Sequence, residues 1–262
     1  MIKFFRKIRQ NLLSEGKTGK YLKYAIGEIL LVVFGILIAL QINIWNEHRK
    51  NQNTLSGYLT FLMEDIENDK YQLVKLIQER EASLESTTKI INSYRSNIPI
   101  SAPDFLHAFN YIVVEQKFDN NTNGFDKVQN SPLFDSEGFH RIRNLIRDYT
   151  KAIDQVKFVE SKQNTSSEIM ESELLRNGFY DNTWEDFREY YQPDIFQSKS
   201  EKTNYLNEIN NYNQIKAIFM RNEWALPFII EDYKRIIDLG ERLKLEIDSF
   251  QGNREPSYVM KN

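Results

Sequence analysis

Three histidines, His48, His107 and His140, are the only imidazoles in the 262-residue chain, and two of them stand three residues after a carboxylate: Asp104 before His107, Glu137 before His140. An i, i+3 pair shares one face of a helix, and helical bundles that hold a di-iron centre use such pairs together with inward glutamates from two further helices. That second set of ligands has no counterpart here, and both pairs sit beside a loop or a helix start, so surface or capping positions are expected and no metal site. Nucleophilic hydrolysis lacks its G-x-S-x-G elbow. Nucleotide chemistry lacks both G-x-G-x-x-G and a P-loop, and only ten glycines occur in all. The adjacent acids Glu64-Asp65, Glu185-Asp186 and Glu231-Asp232 read as solvated helix faces. No catalytic residue and no cofactor site emerges, so the chain reads as non-enzymatic, with an envelope enzyme the least supported alternative.

The elements around these residues are more informative. Tyr24 to Trp45 (YAIGEILLVVFGILIALQINIW) forms an apolar span behind a basic head. At about 1.5 Å per residue, some 22 helical residues reach about 33 Å, enough to cross a hydrocarbon core of about 30 Å. Glu28, Gln41 and Asn43 lie near its ends, where polar groups cost least. Each Leu, Ile, Val or Phe contributes about −0.3 to −0.6 kcal/mol, so insertion wins by several kcal/mol as an order of magnitude. A cleaved signal peptide shares this outline, but ALQINIW has no small residues spaced as A-x-A, and an uncleaved anchor is expected. Lys3, Arg6, Lys7, Arg9, Lys17, Lys20 and Lys23 precede the span against Glu15 alone, which predicts a cytoplasmic N-terminus.

Removing the head's +6 and the −1 of Glu28 from the total charge of −3 leaves −8 for residues 46–262, a surface that disfavours nucleic acid. Within the head, Phe5, Ile8 and Leu12 fall on one helical face with Arg6, Lys7 and Arg9 off it, the pattern of an interfacial helix, although orientation alone accounts for the same cations. Phe4-Phe5-Arg6, Tyr24 to Ile29 (YAIGEI), Gly35 to Asn43 (GILIALQIN) and Trp45-Asn46-Glu47 resemble the opening of a family of bacterial single-pass membrane proteins, a domain-of-unknown-function family, most specifically over residues 1–50. The resemblance implies one membrane pass and a helical outer domain, and supplies no activity.

Beyond the span, Leu55, Leu59, Leu62, Ile66, Asp69, Leu73, Leu76, Arg80, Leu84, Thr87, Ile91 and Tyr94 recur at steps of mostly four and three, a heptad seam that predicts a helix from Trp45 to about Arg95. Asp69, Arg80 and Thr87 either set register within it or face solvent through a slight drift. Ser96-Asn97-Ile98-Pro99 ends that helix. Ser101 caps a shorter one, with Pro103 in its first turn, reaching about Val114. Residues 117–138 read as a long loop with one short turn of helix. A helix is expected over about Glu137 to Arg176, weakest from Gln163 to Glu168. Another carries Leu206 to Phe250 and bends at Pro227. The fold class is therefore all-α: one N-terminal transmembrane helix, then an extracytoplasmic antiparallel helical bundle with long coiled-coil-like helices. In domains, this is a basic cytoplasmic head over 1–23, the span over 24–45, a helical domain over 46–250 and a flexible tail over 251–262. Cysteine is absent, so no disulfide supports it.

Two features invite a function. Gly27, Leu31, Gly35 and Ala39 share one face of the span beside Glu28, with Gly35 and Ala39 as a small-xxx-small pair, which suggests a homo-oligomer or packing against another membrane protein; glycines tolerated in lipid and a snorkelling glutamate explain the same residues. Phe179, Tyr180, Trp184, Phe187, Tyr190, Tyr191 and Phe196 cluster in a connecting stretch; they anchor that connection on the bundle end or, for Trp184, Phe187, Tyr190 and Tyr191, form a partner surface. The leading expectation is a membrane-anchored helical protein mediating protein contacts in the envelope of a bacterium, at the inner membrane with its C-terminal domain in the periplasm. The runner-up is a ligand-sensing outer domain acting through a membrane partner.

Overall fold

The computed structural model describes residues 18–195 and 203–252, and among these every regular element is helical. The chain divides into two units, one ending at Ser56 and one beginning at Gly57. Helix α1, Thr18–Arg95, belongs in part to each. No proline interrupts it, and the glycines inside it lower stability without breaking the hydrogen-bond ladder.

In the first unit α1 carries the apolar span. It is long and apolar enough to cross a membrane, and none of its most apolar window is buried. All residues from Ile29 to Lys50 are exposed, including Leu31, Gly35 and Ala39. A Cβ added at Gly27 or Gly35 would meet open space. From Ile29 to Ile44 eleven large aliphatic side chains are exposed, interrupted only by Phe34, Gly35, Ala39, Gln41 and Asn43, far beyond the apolar patch that water tolerates on a monomer. The span is followed by His48, which hydrogen-bonds Gln52 at 2.8 Å, and by Arg49, stacked 5.9 Å over the Trp45 ring. The amphipathic pattern at Phe5, Ile8 and Leu12 lies outside the described residues.

The second unit is a bundle. α1 ends at Arg95 in a Schellman turn: Asn97 takes a left-handed φ of 53°, while the N–H groups of Ile98 and Asn97 donate to the carbonyls of Ser93 and Tyr94. Pro99 follows this stop instead of causing it. α2, Ala102–Val113, is capped by Ser101, whose Oγ accepts from the Asp104 N–H. After α3, Asn123–Gln129, and a 3₁₀ turn, Glu137–Phe139, comes α4, His140–Arg176. α5 spans Phe179–Tyr191, α6 Tyr205–Asn211 and α7 Asn213–Gly252.

Ion pairs give the directions. Lys244 to Glu67, Lys70 to Glu241, Lys234 to Glu81 and Arg95 to Glu223 lay α7 antiparallel along α1. Arg141 to Glu246 and Gln163 to Asn222 lay it antiparallel along α4. α1 and α4 are therefore parallel, and the fourth position of the bundle is filled by a return segment: α2, then irregular chain over 115–122, then α3.

α4 is one helix, as expected, and runs through Gln163 to Glu168, where Gln163 and Ser167 turn inward and Gln163 donates to Asn222. Two other expectations are corrected here. The final helix is two: Tyr212 separates α6 from α7, its ring packed 5.5 Å from that of Phe179. The bend expected at Pro227 falls on the exposed side of α7, which stays helical through it. The aromatic connection is itself a helix, α5. Phe196 lies outside the described residues.

Candidate functional site

Asp69, Arg80 and Thr87 are buried, at 0, 3 and 0 % exposure, so the solvent-facing alternative for them is excluded. For Asp69 and Arg80 the reason is the return segment, whereas Thr87 accepts from Asn222 of α7. An irregular chain inserted between helices has no strand beside it to satisfy its backbone, and each buried N–H or C=O left alone costs on the order of 1–3 kcal/mol. Side chains supply what a strand would. Arg80 donates to the Gln116 carbonyl at 2.9 Å, and Glu160 accepts the Phe118 N–H through both oxygens at 3.1 Å. Gln72 pairs with Asp119 in both directions, 2.6 and 3.1 Å, as a neighbouring backbone would. Asp69 accepts from the Asn121 backbone at 2.8 Å and its side chain at 3.0 Å, and Asp65 accepts from the Gly124 N–H at 2.5 Å. We call residues 115–122 the strap.

Tyrosines complete the network. Tyr149 donates to Asp69 at 2.9 Å and Tyr233 donates to Glu160. Asn222 donates to Ser83 and Thr87, at 3.1 and 2.8 Å. Burial pushes the carboxyls of Asp69 and Glu160 up, against the pull of their hydrogen bonds, and pushes the phenols of Tyr149 and Tyr233 up as well. Since the native state then holds Asp69's proton to a higher pH than the unfolded chain, whose value is about 3.9, this group's stabilisation is complete below that value and is lost as pH rises through the folded one. Asp69→Asn mimics the protonated form, keeping an acceptor for Asn121 and offering an N–H to the Tyr149 oxygen. The variant's melting temperature should fall less steeply than that of the unaltered protein between about pH 4 and pH 7; parallel melting curves would show that Asp69 titrates like an exposed acid.

The residues singled out for chemistry are elsewhere and apart. Asp104 is held by Lys89 and Ser101, at 2.6 and 2.7 Å, which keep its carboxyl below the usual range. His107 bonds Tyr190 at 3.2 Å, and His140 bonds the Glu137 carbonyl at 2.7 Å. Among the described residues no three His, Cys, Asp or Glu side chains gather as a metal site. The solvated reading of two acid pairs is corrected: Asp65 is buried and accepts from the Gly124 N–H at the start of α3, and Asp186 is buried under Tyr205, accepting from it at 3.2 Å.

α5 is built in two halves. Phe179 and Phe187 point into the core with Phe105, Phe109, Leu174 and Phe219, so Phe187 is an anchor more than a surface. Gly178, at φ 79°, makes the sharp entry that allows this. Tyr190 and Tyr191 tie α5 to α2 through His107 and Asn110, the latter at 2.6 Å. Outward stand Trp184, 56 % exposed, and Tyr191, 52 % exposed. Clefts open on both sides of Trp184, one floored by Leu175 and Tyr180, the other by Phe187 and Tyr191. A separate polar cleft of about 650 Å³ lies where the end of α2, the strap and α4 meet, lined by Lys117, Lys157, Ser161, Asn164, Glu168 and Glu171 among others. The strap and its carboxylates were missed in the sequence because Asp69 and Glu160 stand 52 and 42 positions from their backbone partners.

Among the described residues, fold and site together define a helical protein with one helix long and apolar enough to span a bilayer and a bundle stapled by an internal polar strap. The model of a family of unknown function (DUF6090) matches residues 28–122, from Glu28 in the apolar span through the whole strap. No curated protein and no solved structure matches the chain.

Proposed function

We propose that this chain is a non-enzymatic, membrane-anchored helical protein whose outer bundle mediates protein contacts in the bacterial envelope, as a scaffold or as one partner of a larger complex. In this reading the basic head stays in the cytoplasm, the apolar helix crosses the inner membrane, and the bundle works in the periplasm. The observation that carries it is Trp184: a half-exposed tryptophan on a helix whose other face is locked in the core, with a cleft on either side and Tyr191 held in place next to it. Rigid, exposed aromatics of this kind are the anchors of protein interfaces, because they bury much area at little entropic cost. A second contact surface is the small-residue face of the span, Gly27, Leu31, Gly35 and Ala39, beside Glu28. The polar cleft supports the ligand-sensing alternative, since its volume suits a small polar molecule.

Affinity purification of the full-length protein from native membranes tests this. Trp184→Glu should change the stability by no more than a surface change does, about ±0.5 kcal/mol, and reduce a co-purifying partner at least about tenfold. Gly35→Ile should instead disrupt contacts made inside the bilayer. A partner retained in full by both variants would refute the assignment of contacts to these two surfaces.

A further inference from the structure

At the end of the bundle where α1 finishes, a pocket of about 240 Å³ opens between α1, α6 and α7. Its floor is Ile90, Ile91, Ile209 and Phe219, all nearly inaccessible, and Tyr94 and Met220 form its walls. Every floor side chain is hydrocarbon. The remaining two lining residues, Arg95 and Lys216, are both cationic. Lys216 Nζ sits 5.3 Å over the Tyr94 ring, which holds the ammonium at the mouth, and Arg95 is half-engaged with Glu223 at 3.5 Å.

Two cations at one apolar mouth depart from the rest of the domain, whose net charge is −8 once the head's +6 and Glu28's −1 are removed from the total of −3. The volume is below the roughly 300 Å³ at which sites for drug-sized molecules begin, and an alkyl chain suits such a slot better than a fused ring. The apolar surface also continues outward: Met220, Trp224 and Phe228 stand at helical steps of four, all exposed, with the last two rings 5.4 Å apart.

We propose that this pocket binds the alkyl chain of an anionic amphiphile, with Lys216 and Arg95 facing its carboxylate, sulfate or phosphate head. The chain replaces water on the isoleucine floor, the charged head stays at the rim, and Glu223 keeps Arg95 aimed across the mouth. A free fatty acid and the acyl chain of an anionic lipid share this chemistry.

The test uses the full-length protein in phosphatidylcholine nanodiscs, with equilibrium binding of radiolabelled alkyl carboxylates of increasing length, corrected by empty discs. Affinity should rise about fourfold per added methylene, the factor set by about 0.8 kcal/mol per buried CH₂, and then level off when the pocket is full. Partition into lipid has no such plateau. Lys216→Glu, at an exposed position, should weaken octanoate at least about tenfold while leaving octanol unchanged, as loss of one favourable charge contact requires. Met220→Trp, which fills the slot, should abolish both. Dihexanoyl-phosphatidylglycerol, added from solution below its micellar concentration, separates the sources: octanoate displaced by that lipid identifies an acyl-chain occupant, octanoate unaffected identifies a free acid. The proposal is overturned if retention does not exceed that of empty discs, if octyltrimethylammonium binds as well as octanoate, or if Met220→Trp changes nothing.

Discussion

Gly124→Ala is expected to lower the melting temperature of the bundle by roughly 10 °C. A Cβ at this position would lie 2.3 Å from the Leu62 nitrogen and 2.5 Å from the Phe61 carbonyl carbon, so it meets backbone, which has no rotamer with which to yield. The start of α3 must lift from α1, and the hydrogen bond from the Gly124 N–H to Asp65 is lost with it. Overpacking costs about 1–3 kcal/mol. A hydrogen bond to a charged acceptor contributes about 1.5–3 kcal/mol. Together these give about 2.5–6 kcal/mol, and at about 2–4 °C per kcal/mol for a domain of this size the shift is large. Thermal unfolding followed by far-ultraviolet circular dichroism measures it. Gly57→Ala is the control: Gly57 is exposed inside α1 with nothing near its absent Cβ, so alanine there should be neutral or stabilising by up to about 1 kcal/mol. A Gly124→Ala protein that melts with the control would mean that α3 does not lie against α1.

Glu160→Ala should cost a similar amount, about 3–5 kcal/mol, by a different route. It removes the acceptor of the Phe118 N–H and the Tyr233 hydroxyl, and it leaves the nearby Arg80 guanidinium buried without a counter-charge. The two acids of the strap act alike in satisfying backbone, but only Glu160 also answers a buried cation. The double variant Arg80→Met with Glu160→Ala should therefore be less damaged than the sum of the single changes, by about 1–3 kcal/mol. Hydrogen exchange supplies an independent readout: amide protection at Phe118, Asp119 and Asn121 should collapse in Glu160→Ala while the middle of α7 keeps most of its own. Strict additivity, or unchanged protection along the strap, would sink this account of why Glu160 is inside.

Much of the architecture is legible in residue order. The apolar run behind a basic leader marks the span, the steps of four and three mark α1, and Ser101 with Pro103 marks the start of α2, because each of these signals is local to its own helix. Legibility fails where a residue's partner is distant in sequence. Asp69 and Arg80 look like flaws in a heptad seam, and Asp65 and Asp186 look like surface acids, until Asn121, Gln116, Gly124 and Tyr205 are brought against them. α5 was hidden for a related reason: its aromatics at 179, 184, 187, 190 and 191 mix core anchors with exposed rings, and spacing alone does not say which is which.

Residue order by itself therefore determined the helical class, a helix long and apolar enough to cross a membrane and the rough limits of the long helices, since hydrophobic periodicity and capping act over a few turns. Only the tertiary structure decided that the fourth position of the bundle is an irregular strap, that buried carboxylates hold it, that Trp184 stands out while Phe187 goes in, and that two cations meet at an apolar slot. Those are consequences of long-range packing: a buried polar group is fixed by the partner that satisfies it, and that partner is chosen in space, not along the chain.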